Sequence, residues 1–167
     1  LKHLQDQFRE RETGKTYLAL VQGSWPEKLK VIDSALHKFL LPDGERRVKV
    51  TSNEDPDGMR SITLVKVAER LVDCTLLEVT IKTGRTHQIR VHLASQGHPI
   101  AGDDKYGDFE WNKVLQKQGL KRMFLHAWRL QFSHPATGKR VELKSNLPSE
   151  LQLYVNHAKP KSTSPPV

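Results

Sequence analysis

The stretch Gly84-Arg85-Thr86-His87-Gln88-Ile89-Arg90-Val91-His92-Leu93 decides how this chain is read. A β-like run, Thr75–Lys82, precedes it and is closed by Thr83-Gly84. Thr86 is placed to cap a helix running to about Gln96, with Gly97 as its stop and Pro99 beyond. At 3.6 residues per turn, Ile89 and Leu93 share one face and serve as core anchors. His87, Arg90 and Ala94 share another face. An arginine on a helix anchored this way is either part of a solvated basic face or, if buried, needs a carboxylate partner. Arg85 sits just before the cap, where a guanidinium and free backbone N–H groups together suit a phosphate.

Upstream, Lys15–Gln22 reads as a strand around Tyr17, Leu18, Leu20 and Val21. Further β-like runs follow at Val31–Phe39, Arg47–Thr51 and Ser61–Ala68. Pro42-Asp43-Gly44 and Asp55-Pro56-Asp57-Gly58 are turn signals, and connections this short favour antiparallel neighbours. Downstream come a loop at Ile100–Asp108, a helical stretch at Trp111–Gln118 and a strand at Met123–Ser133. On that strand Phe124, Trp128, Leu130 and Phe132 are expected on one face and Leu125 on the other. Pro135-Ala136-Thr137-Gly138 turns the chain into Val141–Leu143, and Ser149 with Gln152 forms a capping box for a last helix. The expected class is α+β, a mostly antiparallel sheet flanked by helices.

The 167 residues carry 27 Lys and Arg against 19 Asp and Glu, a net charge of +8. The pI near 9.7 makes nucleic acid the leading partner class. Mean hydropathy is −0.59, and no apolar run approaches the roughly 18 residues of a membrane span. The single Cys74 excludes an internal disulfide and a cysteine zinc site, and a reducing, cytoplasmic location is expected. Leu1, Leu4 and Phe8 form a helical pattern that opens without a cap, so further sequence upstream is expected. Pro, Ser and Thr dominate from Lys159 onward. Residues 1–157 are accordingly expected as the folded part and 158–167 as a disordered tail.

No metal site is expected. His87 and His92 are five apart rather than four, and no glutamate follows the first. Asp103, Asp104 and Asp108 could form a carboxylate cluster, but Gly102 and Gly107 favour a tight surface loop with solvated charges. Tyr17 is either a core residue or, next to Arg9, Arg11 and Lys15, a platform for an unpaired base.

Several segments together resemble the RluA family of RNA pseudouridine synthases. They are Lys15-Thr16-Tyr17-Leu18-Ala19-Leu20-Val21, Thr83 through His92, His98-Pro99-Ile100-Ala101-Gly102-Asp103, Tyr106-Gly107 and Phe124-Leu125-His126-Ala127. The likeness runs in order from residue 1 to about 155 and is most specific between Gly84 and Gly107. It implies a pseudouridine synthase fold and cofactor-free isomerisation of uridines in structured RNA, here that of the large ribosomal subunit, by a monomer. The target nucleotide has to leave its stack to be reached.

The resemblance also implies roles for particular residues. Tyr17 matches the tyrosine that packs on the target base and is the candidate for moving the C5 proton, with help from neighbouring cations. Arg90 matches the basic residue that pairs with the catalytic aspartate. Leu125 matches an apolar residue beside the base. Arg85, His87, Lys105 and Arg122 are candidates for RNA contact. The family's aspartate lies in a His-Arg-Leu-Asp stretch, and none occurs in residues 1–167. Asp6, Asp33, Asp43 and Asp103 lack that context. The chain is therefore expected to be the C-terminal part of a catalytic domain, inactive alone. A non-catalytic RNA-binding module on the same scaffold is the alternative.

Overall fold

Strand β1 (Gly14–Gln22) buries Leu18 and Leu20 on one face and Ala19 and Val21 on the other, so it belongs at the centre of a sheet covered on both sides. In the computed structural model, which describes residues 14–81, 85, 87–133 and 136–159, that is its place. The other strands are β2 (Val31–Asp33), β3 (Ala35–Leu40), β4 (Arg46–Thr51), β5 (Ile62–Arg70), β6 (Cys74–Ile81), β7 (Leu125–Ser133) and β8 (Arg140–Lys144). Six of them form one antiparallel sheet in the order β2-β5-β6-β1-β7-β8, and β3 and β4 form a separate hairpin. The α+β class is as expected.

Among the described residues three helices cover the large sheet: α1 (Gln88–Ser95), α2 (Phe109–Lys117) and α3 (Ser149–Ala158). Leu18, Leu20 and Phe124 pack with Leu115 of α2 and with Leu151 and Val155 of α3. On the other face, Ala19, Val21, Leu77 and Val79 pack with Ile89 and Leu93 of α1, the two residues expected to anchor that helix. Each fully buried leucine in these layers contributes about 1.5–3 kcal/mol of burial. Gly97 ends α1 as expected, with a left-handed φ of 82°. The N–H groups of Gly97 and His98 bond the Ala94 and Leu93 carbonyls at 3.0 and 3.1 Å, the Schellman pattern.

Several local expectations are corrected. The run Val31–Phe39 is two strands in two sheets. At Ser34 the N–H turns to the Ser61 carbonyl (3.2 Å), and the Ser34 carbonyl accepts His92 Nε2 (2.8 Å), which takes the chain out of the main sheet. Helix α1 begins at Gln88 with His87 as a left-handed N-cap that makes no side-chain cap; Thr86 lies outside the described residues. Helix α3 starts at Ser149 with Pro148 as N-cap, so there is no Ser149 capping box. It continues through a buried Ala158, one residue into the expected tail; residues 160–167, like 1–13, lie outside the described residues.

The face assignment on β7 is also corrected. Thr16 pairs with Arg129 but Tyr17 pairs with Ala127, so Trp128 is an extra residue, a β-bulge. One extra residue reverses the in–out parity of everything beyond it. Trp128 packs on the Phe124 side, while Leu130, opposite Lys15, faces the same side as Tyr17 and Leu125. The Phe132 side chain lies outside the described set.

Candidate active site

With Ile89 and Leu93 pinned in the core, Arg90 projects sideways from α1 toward the loop after Ile100. The sheet fixes that loop: Ala101 N–H bonds the Leu20 carbonyl (2.8 Å), and Phe124 N–H bonds the Ala101 carbonyl (2.9 Å). Gly102 has a φ of 78°, and a Cβ there would collide with the Arg122 carbonyl; one on Gly107 would collide with the Asp103 carbonyl. Buried Asn112 of α2 clamps the loop from below. Its Oδ1 accepts Gly102 N–H and its Nδ2 donates to the Asp103 carbonyl, both at 2.9 Å.

This folding places Asp103 at 0% exposure directly under Arg90. Arg90 Nε and Nη2 donate to Asp103 Oδ2 and Oδ1 at 2.9 and 2.6 Å, a bidentate fork. The backbone N–H groups of Lys105 and Tyr106 donate to the same Oδ1 at 2.9 and 3.1 Å. Burial alone would raise the Asp103 pKa, but Arg90 and the two N–H groups outweigh it and hold the carboxyl below its ordinary value. The buried-arginine alternative holds, and the expectation of solvated loop charges is corrected for two of three residues. Asp103 is buried, and Asp108 caps α2 by accepting Trp111 N–H at 3.1 Å. Asp104 is exposed.

Tyr106 completes the seat. Its ring centroid lies 5.2 Å from the Arg90 guanidinium and 5.7 Å from that of Arg47. Its hydroxyl accepts Val48 N–H from β4 (3.0 Å) and bonds His87 Nδ1 (2.7 Å). Burial lowers the His87 pKa, helped by Arg90 and Lys105, and burial raises that of the Tyr106 phenol. Both shifts favour the uncharged forms of the two groups, and which one donates in their bond is set by the His87 tautomer. Lys105 is engaged as well, its Nζ 2.8 Å from Glu45. Arg85 Nε donates to the Arg60 carbonyl (3.2 Å), and Arg122 faces Glu150 of α3 at 3.4 Å. His87 and Lys105 thus surround Arg90, whereas the Arg122 side chain is directed to α3.

Tyr17 and Leu125 both pack at the margin of the second core, which contains Ile89. They are brought together because Tyr17 pairs with Ala127 and Ala19 with Leu125. A cleft of about 420 Å³ opens from Tyr17 toward β8, lined by Lys15, Tyr17, Ala127, Trp128, Leu130 and Leu143 among others; Leu125 does not line it. Among the described residues the Tyr17 hydroxyl has no hydrogen-bond partner, and burial raises its pKa. Among the described residues no cation lowers it, and Arg9 and Arg11 lie outside them.

Cys74 is buried with its thiol pushed up to about 11, which makes it inert. His37, Asp55 and Asp57 approach one another at the base of the hairpin, but Asp55 is spent on the Thr51 hydroxyl (2.7 Å) and Asp57 N–H (2.9 Å). No helix among the described residues is long and apolar enough to cross a membrane.

The chain belongs to the RNA pseudouridylate synthase family, whose model matches residues 1–95. Its relatives include ribosomal large subunit pseudouridine synthase C from Haemophilus influenzae, 42% identical over 152 residues. The proteins of that name from Yersinia pestis and Escherichia coli are 45% and 44% identical. Each alignment covers 91% of this chain and 46–47% of the relative, so the chain spans about half the length of these proteins. Among solved structures, human RNA pseudouridylate synthase domain containing 1 superposes with a TM-score of 0.71 at 28% identity, over 87% of this chain and 59% of that one. Human RNA pseudouridylate synthase domain containing 4 gives 0.72 at 25% identity, over 94% and 66%.

Proposed function

We propose that this chain supplies the base-recognition side of a site that isomerises uridines of large-subunit ribosomal RNA to pseudouridine. The net reaction breaks the bond from ribose C1′ to uracil N1 and forms one from C1′ to C5; the C5 hydrogen leaves and N1 gains one. Nothing is oxidised or reduced, so no cofactor is required. The observation that carries the reading is the open cleft at Tyr17, its phenol bonding no described residue and Leu125 on the same face of the next strand. A flipped uracil stacks on such a ring, and the aliphatic wall excludes water from its edge.

Arg90 has its role one residue along α1 from Ile89, holding the nucleophilic aspartate ionised and directed at the ribose. That aspartate is supplied from outside residues 1–167, because the His-Arg-Leu-Asp context of the family does not occur within them. Arg85, Lys105 and Arg122 contribute charge, and His87 an uncharged polar edge, to a surface for the RNA backbone, and the protein works as a cytoplasmic monomer.

The test compares the 167-residue chain with the full-length gene product on a large-subunit rRNA transcript tritiated at uridine C5. The full-length product should release tritium. The chain alone should bind the RNA, with affinity falling steeply as salt rises, and release none. Tritium release by the chain alone would overturn the external aspartate. Absence of release by both, with RNA still bound, would favour a non-catalytic RNA-binding module.

A further inference from the structure

We propose that Asp103 is a positioning residue: it fixes the direction in which Arg90 presents its outer guanidinium edge, and so acts on turnover only through Arg90. This rests on the reading that Arg90 serves the reacting carboxylate. A planar guanidinium gripped through Nε and Nη2 and backed by the Tyr106 ring keeps no torsional freedom. What remains to meet a partner is the Nη1 edge, which bonds no described residue. The Arg90 side chain is 13% exposed.

Charge neutralisation alone does not call for this arrangement. Asp104, 86% exposed, already lies 3.5 Å from Nη2, and the Arg122–Glu150 pair shows how a loose surface contact is made in this chain. Stability does not call for it either, since a fully buried ion pair typically does no better than apolar residues of the same volume. The mount around Asp103 is nevertheless complete. Both carboxylate oxygens are engaged, two backbone N–H groups orient them, Asn112 clamps the adjoining backbone, and two glycines leave room for the loop. The same saturation disqualifies Asp103 as a nucleophile, because neither oxygen faces an open space.

The experiment is a double-variant cycle in the full-length gene product on the tritiated rRNA transcript, with thermal melting to verify folding. Asp103→Asn keeps the shape and loses the charge-assisted fork, and should lower kcat by about 10²-fold with KM and RNA affinity within about twofold of the parent. Combined with Arg90→Ala it should lower kcat no further than Arg90→Ala alone. Asp103→Glu keeps the charge but displaces the carboxylate by one methylene. It should also lower kcat, and it carries the same expectation should Asp103→Asn not fold. Multiplying losses in the double variant would overturn the proposal, as would full activity of Asp103→Glu, which a role in charge alone predicts. If Arg90→Ala is inactive and Asp103→Asn fully active, only the positioning role fails. If Arg90→Ala turns over at the parent rate, the functional reading fails and takes the positioning role with it.

Discussion

Arg90 and Tyr17 belong to one candidate site and are held in opposite ways. Arg90 sits in a saturated polar seat where a buried carboxylate, two backbone N–H groups and an aromatic ring fix its plane. Tyr17 is held by packing alone, on a strand whose pairing partner bulges one residue away, and its hydroxyl meets no described partner. The difference fits the proposed roles. A cation that must direct a charge needs orientation, because electrostatic catalysis depends on donors already in place. A platform that must accept an incoming base needs an open face and tolerance.

If that contrast is real, removing Arg90 should be the more damaging change to chemistry. Arg90→Ala in the full-length gene product should lower kcat by about 10³-fold, the upper range for losing a preorganised charge partner, with RNA affinity nearly unchanged. Filter binding and tritium release measured on the same variant decide it. A parallel collapse of RNA binding would make Arg90 a phosphate contact and dissolve the contrast.

The loop under the seat gives the next largest effect, this time on folding. Gly102→Ala places a Cβ against the Arg122 carbonyl at a φ of 78° and should destabilise by about 2–4 kcal/mol, read as a shift of the urea midpoint. Gly97→Ala is the control. It has a similar φ of 82° but nothing within 4 Å of the added methyl, so it should cost only about 1 kcal/mol. Equal losses would show that backbone conformation, not the close approach, makes the seat rigid.

These particulars also show how much could be read from residues alone. The strand–helix order and the Ile89–Leu93 anchoring of α1 were legible, because each rests on local period. The burial of Asp103 was not. A run of acidic residues between glycines normally marks a solvated turn, and only the pairing of Arg90 with a residue 13 positions on makes it a seat. The signal was divided between two segments: a helical arginine in need of a carboxylate, and an aspartate following the apolar pair Ile100-Ala101. Periodicity likewise cannot see the Trp128 bulge or the change of sheet at Ser34, because both are set by partners distant in sequence.

The two regions should separate again under acid. His92 is fully buried, its Nε2–H donating to the Ser34 carbonyl and its Nδ1 accepting the Thr63 hydroxyl, and burial lowers its pKa from 6.5. The unfolded chain thus takes up the proton at a higher pH than the native one. Stability is full above about pH 6.5 and falls as pH drops below it. Asp103 has the opposite chemistry but the same direction of shift; its contribution persists until pH falls below the ordinary value of 3.8 and is then lost. Urea midpoints against pH should therefore decline in two stages, and His92→Gln should shrink the first to the share due to His87 and leave the second unchanged. A single stage below pH 4 would mean that the His92 network does not distinguish the two protonation states.

The smallest effect is the most specific to the Tyr17 side. Tyr17→Phe removes a hydroxyl that bonds no described residue and keeps the ring packed against the second core, so folding stability should change by less than about 0.5 kcal/mol. Tyr106→Phe is the matched comparison. Its hydroxyl bonds Val48 N–H and His87, so its loss should cost about 1–3 kcal/mol by leaving those groups unsatisfied. Two tyrosines given the same substitution then report whether the polar order of the seat stops short of the cleft. A loss at Tyr17 equal to that at Tyr106 would mean the phenol is tied into the fold, and a base-accepting platform with a free hydroxyl would no longer describe it.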